Sequence, residues 1–433
     1  MIEKHVDGLL NGKDFGAINR ETVFSILEKH RSKIPQEIWC ASLARFNKAF
    51  TEFYAPEGAL KDTATSAFFV HTRRHRNGDS DISEESLRHL DDSSRFFPIL
   101  DPKYRIPEKD VEVLWNALPP FRTGEISGIA NGKQINCAII SVPLTPQSLE
   151  DCSSSATKRA DYARPRILQA ASFAKKMGAK FIGLGETLAS LTRHGKILQS
   201  QFPEIKVTTG HAFTTHFMTE WTQYAAKAAG IKLEDSQITI IGAGGSIGKA
   251  MTEILLDQGV ERLNLHDKEN MRGVLEEKQE EISERYPNKK IKITAENDNL
   301  KEACVGSRIV LVAASAPTPF IKAEHLDKGT FIINDSQPPS ITREEARKGN
   351  SVDLWVLAKL PEGFVDTFDS GLWDGDWTCA LEVVALEVEG EKALETVGPV
   401  TTQRVKEFGE IAKKIGIGLA SAQSWGIKEK NLQ

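Results

Sequence analysis

The chain has 433 residues, of which 40% are hydrophobic and 27% are charged. This length exceeds what one ordinary hydrophobic core fills and predicts two or three domains. The net charge of −5 gives no reason to expect a nucleic-acid partner. The first 15 residues are polar, and no run of about 18 apolar residues occurs, which argues against a signal peptide and a membrane span.

The five cysteines are scattered, odd in number, and form no C-x-x-C pair. This pattern predicts a reducing cytoplasmic setting without disulfides and without a structural metal. The bulk properties therefore favour a cytoplasmic globular protein. They leave open whether it forms a homo-oligomer.

Residues 1–118 are predicted to form a mainly helical N-terminal region, because 23–30 and 37–53 carry apolar residues at helical spacing. A basic run, Arg73, Arg74 and Arg76, precedes an acidic one. It is interpreted as a solvated loop, with a patch that docks a phosphate or a carrier protein as the alternative. Pro119 and Pro120 mark the predicted boundary.

Residues 119–235 are predicted to form the first part of an α/β substrate domain. Apolar runs at 137–144, 180–185 and 206–210 indicate strands, and 160–177 and 215–229 indicate helices that end at Gly178 and Gly230. Strands that alternate with helices are typical of a parallel sheet.

Residues 236–365 carry the strongest signal, a dinucleotide fingerprint. The apolar strand 238–241 leads directly into a glycine-rich turn and then into an amphipathic helix. Glycines let the backbone turn tightly and approach a pyrophosphate, which the first N–H groups of the helix then face. The predicted pyrophosphate-binding residues are Gly242, Ala243, Gly244, Gly245, Ser246 and Ile247, and Gly248 is expected to allow close contact between helix and strand.

The cofactor is predicted to be NAD or NADP. Asp267 closes the next strand, where an acidic residue binds the adenine ribose and favours NAD, whereas the neighbouring Lys268 suits the 2′-phosphate of NADP. Two further strands, 308–314 and 330–333, end in Ser315-Ala316-Pro317 and Asn334-Asp335-Ser336-Gln337 and are expected to line the same crevice.

Residues 366–433 are predicted to supply two C-terminal helices, at 379–389 and 401–415, that complete the substrate domain. The predicted fold is therefore α/β, with a Rossmann doubly wound parallel sheet inserted in a second α/β substrate domain. The active site is expected in the cleft between them.

Several segments in order resemble the acyl-[acyl carrier protein] reductase family and its shikimate-dehydrogenase-like and semialdehyde-dehydrogenase-like bacterial relatives. The resemblance covers about residues 122–420 and implies an NAD(P)-dependent reductase of acyl thioesters. Besides the glycine loop, the segments that carry it are Ser141-Val142-Pro143-Leu144-Thr145-Pro146, Gly183-Leu184-Gly185, Thr192-Arg193-His194-Gly195, Thr208-Thr209-Gly210, Asn334-Asp335-Ser336-Gln337-Pro338-Pro339 and Cys379-Ala380-Leu381-Glu382.

The chain departs from that family where the substrate is expected. Thr330 stands where the family has its nucleophilic cysteine, and threonine is a poor nucleophile without a dedicated base. Glu186 follows Gly-Leu-Gly in place of a small residue, and His211 follows Thr-Thr-Gly in place of asparagine. These differences predict related architecture with altered chemistry.

Four residues are candidates for catalysis. His211 titrates near neutrality and would serve as the acid or base, or would orient the substrate. Glu186 would bind an amine, position a water or act as a base, unless it is an exposed loop carboxylate. Lys359 would donate to an oxyanion. Cys379 is the cysteine best placed for a function, with inert core packing as the alternative.

These features and the resemblance predict an NAD(P)-dependent oxidoreductase that transfers a hydride to or from an aldehyde, an alcohol or an acyl thioester. The substrate is thus expected to be a small molecule or bound to an acyl carrier. One version reduces a thioester without a covalent acyl-enzyme, and another interconverts a small carbonyl compound and its alcohol or amine. A non-catalytic dinucleotide-binding scaffold or sensor is the alternative from a different class.

Overall fold

The computed structural model describes residues 18–72, 93–153, 155–296, 300–316, 318–368, 372, 374–390, 396–424 and 427–428. The basic run Arg73, Arg74 and Arg76 and the residue Pro317 lie outside the described residues. The chain folds into two compact units, each built from three segments. Unit 1 comprises Met1–Thr209, Gly363–Asp369 and Leu386–Gly398, and unit 2 comprises Gly210–Glu362, Ser370–Ala385 and Pro399–Gln433.

Unit 1 is built on a six-stranded sheet with the order β13-β2-β3-β1-β4-β5. Its four strands β3, β1, β4 and β5 are parallel, and β2 and β13 extend the sheet through antiparallel pairs. The strands are β1 (Ser66–His71), β2 (Phe121–Ala130), β3 (Lys133–Val142), β4 (Phe181–Leu184), β5 (Lys206–Thr208) and β13 (Val365–Asp366).

Two hydrophobic clusters hold unit 1 together. One lies between the sheet and the long helix 156–177, with Phe69, Ile140 and Phe173 in its centre. The other lies among the N-terminal helices, where the rings of Phe46 and Phe97 stack at 3.9 Å. The helices of this unit are α1 (Arg20–His30), α2 (Gln36–Phe53), α3 (Ser93–Phe96), α4 (Glu108–Ala117), α5 (Pro146–Cys152), α6 (Ala156–Met177), α7 (Leu188–Leu191) and α8 (Lys196–Gln201).

Unit 2 is built on a six-stranded sheet with the order β11-β10-β9-β6-β7-β8, in which every pair is parallel. Numbered from its first strand, this order is the 6-5-4-1-2-3 arrangement of the Rossmann fold, and it reverses between β6 and β9. The strands are β6 (Gln237–Ile241), β7 (Arg262–Asp267), β8 (Lys290–Ala295), β9 (Ile309–Val312), β10 (Phe331–Asn334) and β11 (Val352–Trp355).

The helices of unit 2 cover this sheet, and the first of them packs on two other helices and on β9 and β10. They are α9 (His211–Ala229), α10 (Ser246–Asp257), α11 (Arg272–Arg285), α12 (Leu300–Cys304), α13 (Arg343–Lys348), α14 (Thr378–Glu389), whose last turn belongs to unit 1, and α15 (Thr402–Ile415). Short strands β12 (Leu357–Lys359), β14 (Asp376–Trp377) and β15 (Gly418–Leu419) form a three-stranded sheet, and β16 (Gln423–Ser424) pairs with β17 (Ile427–Lys428).

The predicted fold class, an α/β chain with a Rossmann sheet, is confirmed by this strand order. The helices α6, α9 and α15 end at Gly178, Gly230 and Gly416, as the sequence predicts. One strand of the mainly helical N-terminal region, β1, lies at the centre of the sheet of unit 1, which the sequence analysis did not foresee.

The four-part domain division drawn from the sequence stays a prediction, and the packing differs from it at two places. Residues 210–235, assigned to the substrate domain from sequence, pack in unit 2, and so do α15 and the first part of α14. Among the described residues, no helix has both the length and the apolar character needed to cross a membrane.

Candidate functional site

The glycine loop lies between β6 and α10, at the carboxyl edge of the parallel sheet of unit 2. Gly242 adopts a φ of +83°, and a Cβ on it would lie 2.4 Å from the carbonyl oxygen of Ala313. A Cβ on Gly248 would lie 2.2 Å from the carbonyl oxygen of Gly242. In a strict G-x-G-x-x-G fingerprint that begins at Gly242, the third glycine would stand at position 247, which is Ile247 in this chain. Gly248, one residue later, makes the close contact with the loop instead.

The N-terminus of α10 offers backbone donors to an anion. The hydrogen bonds within this helix begin with the N–H of Lys249, which donates to the carbonyl of Gly245 at 3.0 Å. The N–H groups of Ser246 and the two residues after it therefore have no acceptor within the helix. These donors lie at the positive end of the helix dipole, which suits a pyrophosphate. The Ser246 hydroxyl accepts from the N–H of Val400 at 2.9 Å.

Asp267 ends β7, next to the glycine loop. Its Oδ2 accepts a hydrogen bond from the N–H of Gly244 at 2.8 Å, and its Oδ1 accepts from the N–H of Lys268 at 2.8 Å. A Cβ on Gly244 would lie 2.8 Å from Cε of Met271 and 3.1 Å from Oδ2, so a side chain here would require these neighbours to shift. The sequence-predicted cluster of glycines and Asp267 is therefore brought together, and the exposed Lys268 follows directly.

Two further strand ends lie at the same edge of this sheet. Ser315 and Ala316 follow β9. Between the strand and these two residues, the N–H of Ala313 donates to the carbonyl of Ile241. The Ser336 hydroxyl, after β10, donates to the carbonyl of Ala314. This bond joins the segments after β9 and β10 at the edge of the sheet that carries the glycine loop.

Asp335 is a titratable group at this edge that the sequence analysis had named only as part of a strand end. Burial raises the pKa of the Asp335 carboxyl to about 8. The group is thus held protonated at neutral pH, when it is able to donate a hydrogen bond. The signal in the sequence was its position directly after a buried strand, but burial itself is visible only in the fold.

The pH dependence of stability tests the burial of Asp335. In the unfolded chain this carboxyl ionises near pH 4, so unfolding releases its proton between about pH 4 and pH 8 and stability falls as the pH rises through this window. We expect the stability of Asp335→Asn relative to the wild type, measured by urea unfolding, to increase by about 1–3 kcal/mol from pH 4 to pH 8.5. The exposed Asp235→Asn is the control. An equal pH slope for wild type and Asp335→Asn would contradict the prediction.

His211 and Cys379 lie near one another at the start of α9. His211 is the first residue of this helix, not the end of a strand, and a Cβ on the preceding Gly210 would lie 2.4 Å from the Cβ of Cys379. The buried Glu382 accepts from the N–H of Gly210 at 3.1 Å and from that of Phe213 at 2.8 Å. The predicted C-x-x-E segment thus places its cysteine and its carboxylate against the N-terminus of α9.

Glu382 fixes the position of His211 by capping this helix. A carboxylate that accepts two backbone hydrogen bonds at a helix N-terminus is stabilised by the dipole, and its removal leaves buried N–H groups without an acceptor. We expect Glu382→Ala to lower the free energy of unfolding by about 2–3 kcal/mol in urea titrations. The exposed helical Glu277→Ala is the matched control and should change stability by less than about 0.5 kcal/mol. Equal losses in both variants would refute the capping role.

The structure does not place Lys359 with these residues. Its backbone pairs with Gly418 in the three-stranded sheet and its side chain is exposed. Lys359 thus does not extend from the last strand of the Rossmann sheet, from which it was expected to reach the crevice, and its role as an oxyanion donor stays a prediction. Thr330, the counterpart of the family's nucleophile, is buried at the amino end of β10, where its hydroxyl donates to the carbonyls of Asp327 and Ser307. It lies at the edge opposite the glycine loop.

Glu186 belongs to unit 1, where it follows β4 with a φ of +54°. Its Oε2 lies 2.7 Å from Nδ1 of His71 and accepts from the backbone N–H of His71 at 3.2 Å. His71 ends β1 and is buried. Sequence reasoning missed His71, although the apolar run before it was a signal for a buried strand. The carboxyl edge of the sheet in unit 1 thus holds a histidine and glutamate pair.

No group of three or more His, Cys, Asp or Glu side chains that could hold a metal ion occurs among the residues that the structure describes. All five cysteines are free thiols. Burial raises the pKa of the Cys304 thiol to about 12, so this cysteine stays protonated in the core.

No family model matches the chain. The chain is 24% identical over 263 residues to the aminotransferase PigE of Serratia sp., which covers 58% of this chain and 29% of that protein. It is 29% identical over 147 residues to the long-chain acyl-[acyl-carrier-protein] reductase of Synechococcus elongatus, which covers 32% of this chain and 40% of that enzyme. The chain thus spans less than half the length of these curated relatives. The second match supports a reductase-like relation over that part of the chain.

Among solved structures, the chain is similar to two dehydrogenases and a malic enzyme at low sequence identity. Shikimate 5-dehydrogenase from Listeria monocytogenes is 13% identical, with 63% of this chain and 86% of that one covered and a TM-score of 0.30. L-tryptophan dehydrogenase from Nostoc punctiforme is 12% identical, with 65% and 72% covered and a TM-score of 0.33. An NAD-dependent malic enzyme from Thermotoga maritima is 15% identical, with 96% and 99% covered and a TM-score of 0.33. The fold assignment therefore rests on the strand order and register of the two sheets.

Proposed function

We propose that this chain is an NAD(P)-dependent oxidoreductase that acts on a carbonyl-type substrate by hydride transfer. The observation that carries the proposal is the glycine loop between β6 and α10, at the point where the strand order of a parallel sheet reverses. Open α/β sheets bind dinucleotides at this point. Gly242 and Gly248 have no room for a side chain, and the N-terminus of α10 supplies donors for the pyrophosphate.

The position of Asp267 defines how the cofactor would lie. Its carboxylate on β7 would bind the two hydroxyls of the adenine ribose, which favours NAD, because the negative charge repels a 2′-phosphate. Lys268 beside it is the residue that would accommodate NADP. Ser315, Ala316 and Asp335, which follow β9 and β10 on the other side of the point where the strand order reverses, would then be the residues available to the nicotinamide half.

The cofactor, when bound, supplies or accepts the hydride, and the chain must supply the proton and the position of the substrate. His211, held by the capped N-terminus of α9, is the proposed acid or base in unit 2. Asp335 is a second proton donor, since burial raises its pKa to about 8. Glu186 in unit 1, paired with His71, is the proposed binding group for a polar part of the substrate.

Two substrate classes follow from the resemblance and from the site residues. Thr330 at the amino end of β10 supports a route without a covalent acyl-enzyme. An acyl thioester would then be reduced by direct hydride transfer. A small aldehyde, ketone or alcohol is the other class, and the polar residues Glu186 and His211 favour it over a long apolar chain.

Titration with NADH and NADPH, by calorimetry and by nucleotide fluorescence, tests the cofactor. Binding of neither nucleotide would overturn the proposal. Oxidation of NADH or NADPH is then measured with octanal, pyruvate and octanoyl-coenzyme A, and the wild type is compared with His211→Gln. Binding of a nucleotide without turnover of any substrate, and without an effect of His211→Gln, would support the non-catalytic scaffold instead.

A further inference from the structure

Unit 1 contains a cavity of about 390 Å³ that belongs neither to the glycine loop nor to the His71 and Glu186 pair. It lies between helix α2, the segment around α3 and the start of strand β2. A volume of several hundred Å³ is the usual size of a small-molecule site in a protein. The cavity is therefore large enough for a compact organic ligand.

The cavity has an aromatic wall. The ring centroids of Phe97 and Phe121 are 5.1 Å apart, and Phe96 meets Phe121 edge to face at 5.8 Å. Phe96 also lies 6.1 Å from Phe368. Phe96 is half-buried, so part of its ring is open to the cavity. An aromatic group that enters the cavity can complete this cluster with edge-to-face or offset contacts.

The remaining wall is cationic. Four of the residues that line the cavity are basic, namely Arg45, Lys48, Arg95 and Arg122, whereas one is acidic, Glu52. Arg122 is paired with Glu125, and Lys48 lies 3.8 Å from Glu52. The proposal therefore uses only Arg45 and the loosely paired Lys48 as partners for a ligand.

Arg45 is the best-positioned donor. Its Nη1 donates to the carbonyls of Arg95 and Phe96 at 2.7 and 2.8 Å, and these two bonds hold the guanidinium at the cavity wall. Its Nε and Nη2 donate to no acceptor within the described part of the chain. An arginine fixed in this way can offer its other edge to a carboxylate in a charge-assisted hydrogen bond.

We propose that this cavity is a binding site for an aromatic carboxylate, with the ring against Phe96 and Phe121 and the carboxylate towards Arg45 and Lys48. The site is independent of the dinucleotide crevice. It would therefore bind such a ligand whether or not the nucleotide is present and whether or not the chain is an oxidoreductase.

Calorimetry on the full chain tests the site with 4-phenylbutyrate and with two analogues, each of which lacks either the charge or the ring. We expect 4-phenylbutyrate to bind with a dissociation constant on the order of 1 mM or tighter. The neutral 4-phenylbutanol should bind at least about tenfold more weakly, because it lacks the charge. Butyrate, which lacks the ring, should give no measurable binding over the same range. Octanoate is included, and tighter binding of octanoate than of 4-phenylbutyrate would overturn the choice of an aromatic ligand.

Two variants locate the binding. Arg45→Gln and Lys48→Gln should each weaken 4-phenylbutyrate about five- to tenfold and leave 4-phenylbutanol unchanged. Lys109→Gln, an exposed lysine on α4 outside the cavity, is the matched control and should bind like the wild type. Circular dichroism checks that each variant folds. If Arg45→Gln does not fold, Lys48→Gln alone provides the test. Equal binding of acid and alcohol, or no effect of Lys48→Gln, would overturn the proposal.

Discussion

Gly248→Ala is expected to abolish measurable NADH binding and to lower the free energy of unfolding by about 2–3 kcal/mol. The added Cβ would lie 2.2 Å from the carbonyl oxygen of Gly242 and 2.7 Å from the Cα of Ala243. Both contacts are to backbone, so α10 must move away from β6 to relieve them. That movement displaces the N–H groups that face the pyrophosphate. Urea unfolding and calorimetric titration with NADH measure the two effects.

Gly273→Ala is the matched control for this prediction. A Cβ at Gly273, in α11, meets no atom within 4 Å. Alanine should therefore be accepted there and should stabilise the chain by about 0.5–1 kcal/mol, because it restricts the unfolded backbone. NADH binding should not change. If Gly248→Ala bound NADH like the wild type, the glycine loop would not be the pyrophosphate site.

The Rossmann sheet could be predicted because its signals are local. The strand, turn and helix around Gly242 follow one another within a few residues, and the acidic residue that should follow, Asp267, does follow. Each of these elements is determined by periodicity and by the conformational needs of glycine. The right-handed connections of parallel strands then restrict the strand orders that these units can form.

The sheet of unit 1 could be predicted only in part, because its central strand pairs across long sequence separations. Strand β1 pairs with β3 and β4, about 70 and 115 residues further along the chain, and no local signal shows such pairing. For this reason the sequence predicts residues 1–118 to be a separate, mainly helical region. His71, at the end of β1, was missed as the partner of Glu186 for the same reason.

The residues around His211 show a second limit of sequence reasoning. Cys379 and His211 were named separately, and their proximity depends on Glu382 capping α9 from 170 residues away. The location of Lys359 in the fold differs from the predicted one for another reason. The chain continues from β11 directly into a small antiparallel sheet, and short strands of two or three residues carry no periodicity that would reveal this change.

Asp267→Ala is expected to reverse the nucleotide preference of the chain. The wild type should bind NADH more tightly than NADPH, because the carboxylate binds the ribose hydroxyls of NADH and repels the 2′-phosphate of NADPH. A charge-assisted hydrogen bond contributes about 1.5–3 kcal/mol, so NADH binding should weaken by about 10- to 100-fold in the variant. NADPH binding should strengthen, since the repulsion is removed and Lys268 remains. Calorimetric titration with both nucleotides measures the change.

Asp267→Asn separates the charge of this side chain from its structural role. The wild-type carboxylate accepts from the N–H of Gly244 at 2.8 Å, so alanine also leaves a loop amide without its acceptor. The oxygen of asparagine can keep that bond while the negative charge is removed. We therefore expect Asp267→Asn to strengthen NADPH binding as much as alanine does while losing less affinity for NADH. If both variants weakened the two nucleotides equally, Asp267 would support the loop without selecting the cofactor.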